Sequence, residues 1–170
     1  MVKKTRKKRG SKKVLENVME NSFNFSIDNC LGFIANRLVK CFMKVLDKEL
    51  AEHNLTGAQF CVLAKLFEEE GLTQTLLAQK LYIESPTLVR TLDKLEEAGY
   101  IERRRVPEDR RAFHIFLTPK GRQMSDLVTT IGSRVHDIAV EGLSEKEIAD
   151  LKRFMYTLWK NLEKAQEERS

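Results

Sequence analysis

Apolar side chains recur every three or four residues over residues 27–50, which is the period of an amphipathic helix. Ser26 stands directly before this run, and a serine there is a suitable N-cap. Asn54 interrupts the pattern, and a shorter apolar run over residues 60–67 follows. The chain from residue 26 onward therefore predicts a long helix and then a shorter one.

Two short helices with a tight connection are predicted next. Thr73 is placed to cap a helix of about two turns, and residues 82–84 connect it to the following helix. Ser85 is placed to cap that helix, with Pro86 at its first position, where a missing N–H has no cost. The helix should stop at Gly99, since glycine is the usual residue of a left-handed C-terminal cap.

The pattern then changes to alternating apolar and polar positions. The segments YIERRRV (residues 100–106) and HIFLT (residues 114–118) have the two-residue period of strands. The polar stretch PEDRRA separates them. Together these segments predict a β-hairpin.

Helical spacing returns beyond the hairpin, over residues 124–138 and again over residues 148–162. Ser144 and Glu147 fit a capping box for the last helix. The order of elements is thus four helices, a hairpin and two helices. It predicts a mainly α fold with a small β-hairpin wing (α+β), namely a winged helix-turn-helix with dimerisation helices at both ends.

This order divides the chain into four segments. Residues 1–25 are expected to be a basic and flexible extension, residues 26–55 a dimerisation helix, residues 56–118 a winged helix-turn-helix DNA-binding domain, and residues 119–170 the C-terminal dimerisation helices. The apolar stripes at both ends of the chain need a partner surface, which we expect to be a second copy. A two-fold dimer would present two recognition helices to pseudo-palindromic half-sites about one helical turn apart.

The positive charge of the chain is concentrated at its start. The formal net charge is +5, but residues 1–13 carry eight of the 30 lysines and arginines and no acid. The remaining residues hold 22 bases against 25 acids, a balance of −3. The basicity is therefore a property of the N-terminal head, which we expect either to solubilise the chain or to contact DNA phosphates.

The second short helix is the candidate DNA-reading element. A helix-turn-helix followed at once by a hairpin can place this helix in the major groove, where its N-terminal side chains meet base edges first. Arg90 has the forked donor that most often contacts guanine, although a surface ion pair with Asp93 is an alternative. The candidate DNA-binding residues on the outer face of this helix are Ser85, Pro86, Thr87, Arg90, Thr91 and Lys94. Thr73, at the start of the preceding helix, completes the set.

Positive charge also accumulates in the hairpin. Five arginines fall within nine residues, and they are Arg103, Arg104, Arg105, Arg110 and Arg111. Arginine in a narrow minor groove gains from the strong negative potential there, and a hairpin tip has the shape to deliver it. Because a carboxylate would repel phosphate, Asp109 is expected to accept hydrogen bonds from a neighbouring guanidinium and orient it. The alternative is an ordinary solvated hairpin.

Three sequence runs resemble the MarR family of winged-helix regulators, and within it the SlyA-like branch most closely. They are LTQTLLAQKL, SPTLVRTLDKLEEAGYIERRR and PEDRRAFHIFLTPKG, and they occur in the order and spacing of that family. The resemblance spans about residues 26–165. The lysine-rich head lies outside it.

The resemblance implies a sequence-specific transcriptional regulator that is an obligate homodimer, with its first and last two helices interlocked. It implies that Arg111, in an Asp-x-Arg pattern, enters the minor groove with Asp109 orienting it, while Arg110 meets phosphate. The recognition-helix contacts that carry over are Pro86, Thr87 and Arg90. The family often binds small aromatic acids, so an effector of that kind is expected to modulate DNA binding.

Other function classes find less support in the sequence. The chain contains no Gly-rich phosphate loop, GxSxG or HExxH pattern, so we expect no enzyme and no cofactor. No stretch reaches the ~18 apolar residues of a membrane span, and no secretory signal follows the basic head, so we expect a cytoplasmic protein without membrane partners. His53, His114 and His136 are scattered, which argues against a metal site.

Two alternative functions stay open. The lysine-rich head would also suit an architectural or counter-silencing DNA-binding protein with low sequence preference. The other alternative is a thiol-based redox sensor, because some relatives of the family sense peroxides through a thiol in the first helix, and Cys30 lies near that region. The three cysteines, Cys30, Cys41 and Cys61, show no spacing that predicts a disulfide or a zinc site.

Overall fold

A computed structural model describes residues 26–106 and 109–168 of the chain, apart from the side chains of residues 106 and 109–111. The predicted N-terminal extension lies outside the described residues, as do Pro107 and Glu108. The chain divides after Cys41 into two compact units, and each is described by itself.

The described part of the chain is mostly helical with a small sheet. Its helices are α1 Leu31–Leu50, α2 Gly57–Glu68, α3 Gln74–Leu81, α4 Ser85–Glu97, α5 Pro119–Arg122, α6 Ser125–Val140 and α7 Glu145–Glu167. Its strands are β1 Leu72–Thr73, β2 Ile101–Val106 and β3 Asp109–Leu117, which pair antiparallel in the order β1-β3-β2. This architecture confirms the predicted fold class. None of the described helices is long and apolar enough to span a membrane.

The first unit, up to Cys41, contains the beginning of α1. A 3-10 turn, Ile27–Asn29, precedes the helix, and the extended backbone of Cys30 separates the two. The prediction that Ser26 caps the long helix is therefore wrong. Ser26 precedes the 3-10 turn, its side chain makes no cap hydrogen bond, and α1 itself begins at Leu31.

Side-chain caps define the starts of four helices in the second unit, which are α2, α3, α5 and α7. Thr73 caps α3 as predicted, accepting a 3.2 Å hydrogen bond from the backbone N–H at the third helical position. Ser144 and Glu147 form the predicted capping box of α7. Thr56 and Gln59 form another capping box at the start of α2, which the periodicity did not predict. Each cap satisfies backbone donors that a helix start otherwise leaves unpaired.

The helix α4 begins one residue earlier than predicted. Glu84 has the extended backbone of an N-cap residue, so Ser85 is the first helical residue and Pro86 the second. The predicted cap at Ser85 is therefore wrong, because its backbone is already helical. The helix ends as predicted, since Gly99 takes a left-handed φ of +75° directly after the C-cap residue.

The hairpin has a longer second strand than predicted, and the sheet has an additional strand. β3 begins at Asp109, opposite Val106 of β2, so most of the polar stretch PEDRRA belongs to a strand. Backbone hydrogen bonding to β2 stabilises this part of the strand, although its sequence lacks the alternation of apolar and polar residues. Leu72 of β1 pairs with Ile115 of β3. A two-residue strand is too short to show a period, so the pattern did not predict it.

Close backbone contact joins the hairpin to the helices that follow it. A Cβ atom added to Gly121 would lie 1.9 Å from the carbonyl oxygen of Tyr100, so only glycine fits at this position. Thr118 caps α5 and also donates a 2.6 Å hydrogen bond to the carbonyl oxygen of Gly99. The helix predicted beyond the hairpin is thus two helices, the short α5 and the longer α6.

The hydrophobic core of the second unit packs α2, α4, α6 and the end of α1 against the sheet. Leu88, Leu92 and Leu95 of α4 are fully buried, as predicted. Other fully buried core residues are Leu50, Leu63, Leu66, Leu77, Ile101 and Ile115. Full burial of one such side chain stabilises the fold by about 1.5–3 kcal/mol. The three leucines therefore hold α4 firmly in the unit.

Candidate nucleic-acid interface

The helix α4 has one buried face and one exposed face. Its inner face is held in the core by three fully buried leucines. Its outer face carries predicted DNA-contacting residues that are all exposed, namely Ser85, Pro86, Thr87, Arg90 and Lys94. The helix is thus fixed on one side and open to a ligand on the other.

Thr91 does not lie on this outer face. The residue is only 7% exposed, and its hydroxyl donates a 2.9 Å hydrogen bond to the carbonyl oxygen of Thr87. Thr91 lies three residues after Leu88 and directly before Leu92, so it shares their buried side of the helix. The prediction that places Thr91 on the outer face is wrong.

The positive charges of Arg90 and Lys94 are not neutralised within the described part of the chain. Asp93, the alternative partner predicted for Arg90, instead accepts a 2.6 Å hydrogen bond from Arg103. Neither Arg90 nor Lys94 forms an ion pair with any described residue. Two cations on one exposed helix face suit a polyanionic ligand.

Arg103 links the wing to α4 and is largely buried. Its side chain is 17% exposed, and its guanidinium donates to the carboxylates of both Asp93 and Glu96. The Arg103 backbone N–H donates a further 3.0 Å hydrogen bond to Glu96 Oε1. This arginine of the hairpin cluster therefore fixes β2 against α4. The sequence feature that could have predicted this contact is the pair of acids, Asp93 and Glu96, three residues apart on α4.

Two other wing arginines pack on aromatic rings. Arg104 lies 5.2 Å from the ring centre of Phe116 and pairs with Glu102, while Arg105 lies 5.0 Å from the ring centre of Phe113. The hydrogen bond from Arg104 lowers the pKa of the Glu102 carboxyl, so the carboxyl stays charged to a lower pH than an ordinary glutamate does. Such contacts restrict the direction of both arginine side chains.

The predicted minor-groove residues lie at the start of β3. The backbone of Asp109, Arg110 and Arg111 forms the first part of this strand. Their side chains lie outside the described residues, so the orienting role of Asp109 stays a prediction.

Side chains of β3 and α5 contact the segment just before β1, on the side of the sheet opposite β2. Nδ1 of His114 donates a 2.7 Å hydrogen bond to the carbonyl oxygen of Gly71, and Arg122 pairs with Glu70. Thr73 is half-buried, and its hydroxyl oxygen accepts the cap bond of α3. These contacts hold the base of the wing next to the start of α3. Groups of three or more metal-ligating side chains do not occur among the described residues.

The three cysteines lie in different environments. Cys41 is exposed, whereas Cys30 and Cys61 are half-buried. Burial raises the pKa of the Cys61 thiol, and the negative charge of Asp47 raises it further. A raised pKa lowers the thiolate fraction, and the thiolate is the form that reacts with oxidants. Cys61 is therefore poorly suited to redox sensing.

A helix-turn-helix whose second helix carries an exposed basic face, followed at once by a β-hairpin, defines the winged-helix class of proteins. The sequence profile of the MarR family matches residues 55–113, which cover α2 to the start of β3. The chain belongs to the MarR family of transcriptional regulators. Its relatives in that family are regulators and not enzymes.

Two relatives and one solved structure illustrate the similarity. The organic hydroperoxide resistance transcriptional regulator of Bacillus subtilis is 31% identical over 85% of this chain and 97% of its own length. The HTH-type transcriptional regulator TtmR of Methylorubrum extorquens is 38% identical over 63% of this chain, a match that spans 57% of that relative. A crystal structure of a mutant Escherichia coli MarR in complex with operator DNA shares 26% identity, with a TM-score of 0.69, over 75% of this chain and 92% of the other.

Proposed function

We propose that this regulator binds pseudo-palindromic duplex DNA in a sequence-specific manner, as a homodimer of the SlyA-like type. The observation that carries the proposal is the helix α4, with an inner face buried in the core and an outer face of exposed polar and basic residues. The operator DNA in the solved structure of a MarR protein supports the same class of ligand. Each subunit would place α4 in the major groove of one half-site.

Within the major groove, Arg90 is the proposed base reader. Its guanidinium has no ion-pair partner among the described residues, so its donors are available for guanine O6 and N7. Ser85, Pro86 and Thr87 lie at the end of α4 that enters the groove first. Lys94, one turn after Arg90, would contact phosphate.

The hairpin is the proposed minor-groove element. We assign Arg111 to the minor groove, Asp109 to its orientation and Arg110 to phosphate, as the resemblance implies. Because Arg103 fixes β2 on α4, the two DNA-contacting elements would approach the duplex as one rigid unit. Thr73 would contact phosphate from the start of α3.

The proposed dimer rests on apolar side chains that their own chain leaves exposed. No residue of α7 is buried. Its exposed apolar residues include Leu151, Phe154, Met155, Leu158 and Leu162. The first unit has its own exposed set, which includes Ile27, Leu31, Ile34 and Leu38. A second copy of the chain would cover both sets, which assigns residues 26–55 and 119–170 to dimerisation, residues 56–118 to DNA binding and residues 1–25 to an extension.

A small effector is proposed to modulate the affinity for DNA. An open surface groove of about 540 Å³ lies where α3 meets α4, and its lining includes Thr75, Gln79 and Glu84. Small-molecule sites are commonly of this size. A ligand there would shift the start of α4 and change the fit to the operator. An aromatic acid is the proposed class, on the resemblance alone.

Two alternative functions have one supporting observation each. The basic N-terminal head supports an architectural role with low sequence preference. The hydroperoxide-resistance relative supports a thiol-based sensor, for which Cys30 is the candidate because it lies near the start of the first helix.

The test is selection of bound sequences from a random duplex pool, with and without aromatic acids or an organic hydroperoxide. We expect one enriched pseudo-palindrome, and we expect Arg90→Ala to relax base preference within each half-site. Lys146→Ala, on the exposed surface of α7, is the matched control and should leave the selected sequence unchanged. A specificity ratio near one would favour the architectural alternative, and an unchanged sequence for Arg90→Ala would remove Arg90 as a base reader.

A further inference from the structure

The core of the second unit does not set the position of its last helix, α7. None of the residues of α7 is buried, and seven of its large apolar side chains are between 38% and 65% exposed. The position of α7 against the rest of its own chain therefore depends on individual side-chain contacts at its surface. Two of these contacts are made by Tyr82, at the end of α3 and just before α4.

Tyr82 meets two side chains that lie one turn apart on α7. Its ring packs edge-on against Trp159, with ring centres 5.5 Å apart and planes at 85°. Its hydroxyl donates a 3.1 Å hydrogen bond to Glu163 Oε1. The other carboxylate oxygen of Glu163 accepts a 3.0 Å hydrogen bond from Lys160. An aromatic contact and a charge-assisted hydrogen bond together fix the direction of the Tyr82 ring.

The ring of Tyr82 is in turn coupled to the backbone of the turn before α4. Tyr82 adopts a left-handed conformation, with φ 53° and ψ 40°, which few residues with a Cβ atom take up. Its backbone N–H donates a 3.1 Å hydrogen bond to the carbonyl oxygen of Gln79, as the C-cap of α3. Only Ile83 and Glu84 separate it from α4. A displacement of the Tyr82 side chain therefore acts on a short, constrained turn.

We propose that Trp159 and Glu163 are positioning residues for DNA recognition. Through Tyr82 they hold the turn between α3 and α4, and so set the angle at which α4 enters the major groove. This inference rests on the proposed function and deepens it. It makes α7, a proposed dimer helix, a direct determinant of operator geometry, by a route that does not pass through the core.

A double-mutant cycle on the affinity for the selected duplex tests this coupling. Tyr82→Phe removes only the hydroxyl, and Glu163→Ala removes the acceptor. We expect each variant to weaken binding by about threefold to tenfold, and the double variant to bind no more weakly than the worse single variant. Tyr156→Phe and Glu167→Ala are the matched controls on α7, and we expect both to bind as the wild type does.

Trp159 gives a second readout, because it is the only tryptophan in the chain. Its emission should change when the wild-type protein binds the duplex, and the change should be smaller in Tyr82→Phe and Glu163→Ala. The urea midpoint and the dimer mass should stay as in the wild type. A merely structural role of Tyr82 would move the midpoint and leave the emission response intact.

Two results overturn the inference in distinguishable ways. If the wild-type protein selects an operator but the two single effects multiply in the double variant, or both are absent, the coupling is wrong and the proposed function stands. If the wild-type protein selects no duplex over random DNA, the proposed function is wrong, and so is the inference that rests on it.

Discussion

Nη2 of Arg103 lies 2.6 Å from Oδ1 of Asp93, so a residue of β2 and a residue of α4 share one ion pair. The same guanidinium pairs with Glu96, one turn further along α4. Because its guanidinium is engaged in these two pairs, Arg103 is not among the wing arginines that we expect to contact DNA. Its function is to keep the hairpin and α4 in one relative orientation.

Arg103→Ala is expected to destabilise the fold by about 1–2 kcal/mol, because Glu96 loses the hydrogen bond from the largely buried guanidinium and keeps only the one from the backbone N–H. Asp93 is 58% exposed, so solvent screens its ion pair with Arg103 and losing that pair adds little to the destabilisation. Urea unfolding followed by circular dichroism measures the change. Arg153→Ala breaks an exposed pair with Asp150 and should cost less than about 0.5 kcal/mol. Equal effects of the two substitutions would contradict the linking role of Arg103.

Arg111→Ala should weaken operator binding by more than about 1 kcal/mol, which is about fivefold, because a minor-groove guanidinium interacts with the enhanced negative potential there. Fluorescence anisotropy with a labelled operator duplex measures the affinity. Arg153→Ala, on α7, serves as the control that removes the same charge elsewhere. Unchanged affinity for Arg111→Ala would remove the wing assignment.

Replacing Lys3 and Lys4 by Ala should lower the salt dependence of DNA binding with little change in base preference. Each phosphate contact contributes about 0.9 to the slope of log K against log salt, because counterions are released. The measurement is the operator affinity at several salt concentrations. An identical slope for the variant and the wild type would show that these two lysines do not contact the backbone.

Cys61 should react slowly with iodoacetamide in the native protein near neutral pH. Burial and Asp47 raise the pKa of its thiol, so the reactive thiolate forms only at higher pH than in an unstructured chain. The reaction rate should therefore begin to rise at a higher pH in the native protein than in the urea-unfolded protein. The unfolded protein is the internal control. Mass spectrometry of the modified peptide measures both. Equal rates in the two states would contradict the raised pKa of the Cys61 thiol.

Local signals in the sequence determined much of the fold. The period of the apolar residues, the caps at Thr73 and Ser144, and the left-handed Gly99 all depend on neighbours within a few residues, so the sequence alone predicts them. The two helices and the hairpin that form the candidate site were found in this way. Their order also carried the resemblance to the family.

Contacts between distant segments were decided only by the tertiary structure. Thr91 has a polar side chain but lies between buried leucines, and Arg103 has a charged one but pairs with two acids on the preceding helix. The contact of Tyr82 with Trp159 joins residues 77 positions apart. A local pattern records the type of a side chain and its place on a helix or strand. Which face the packed core covers, and which distant charge lies opposite, depend on how the elements meet in space.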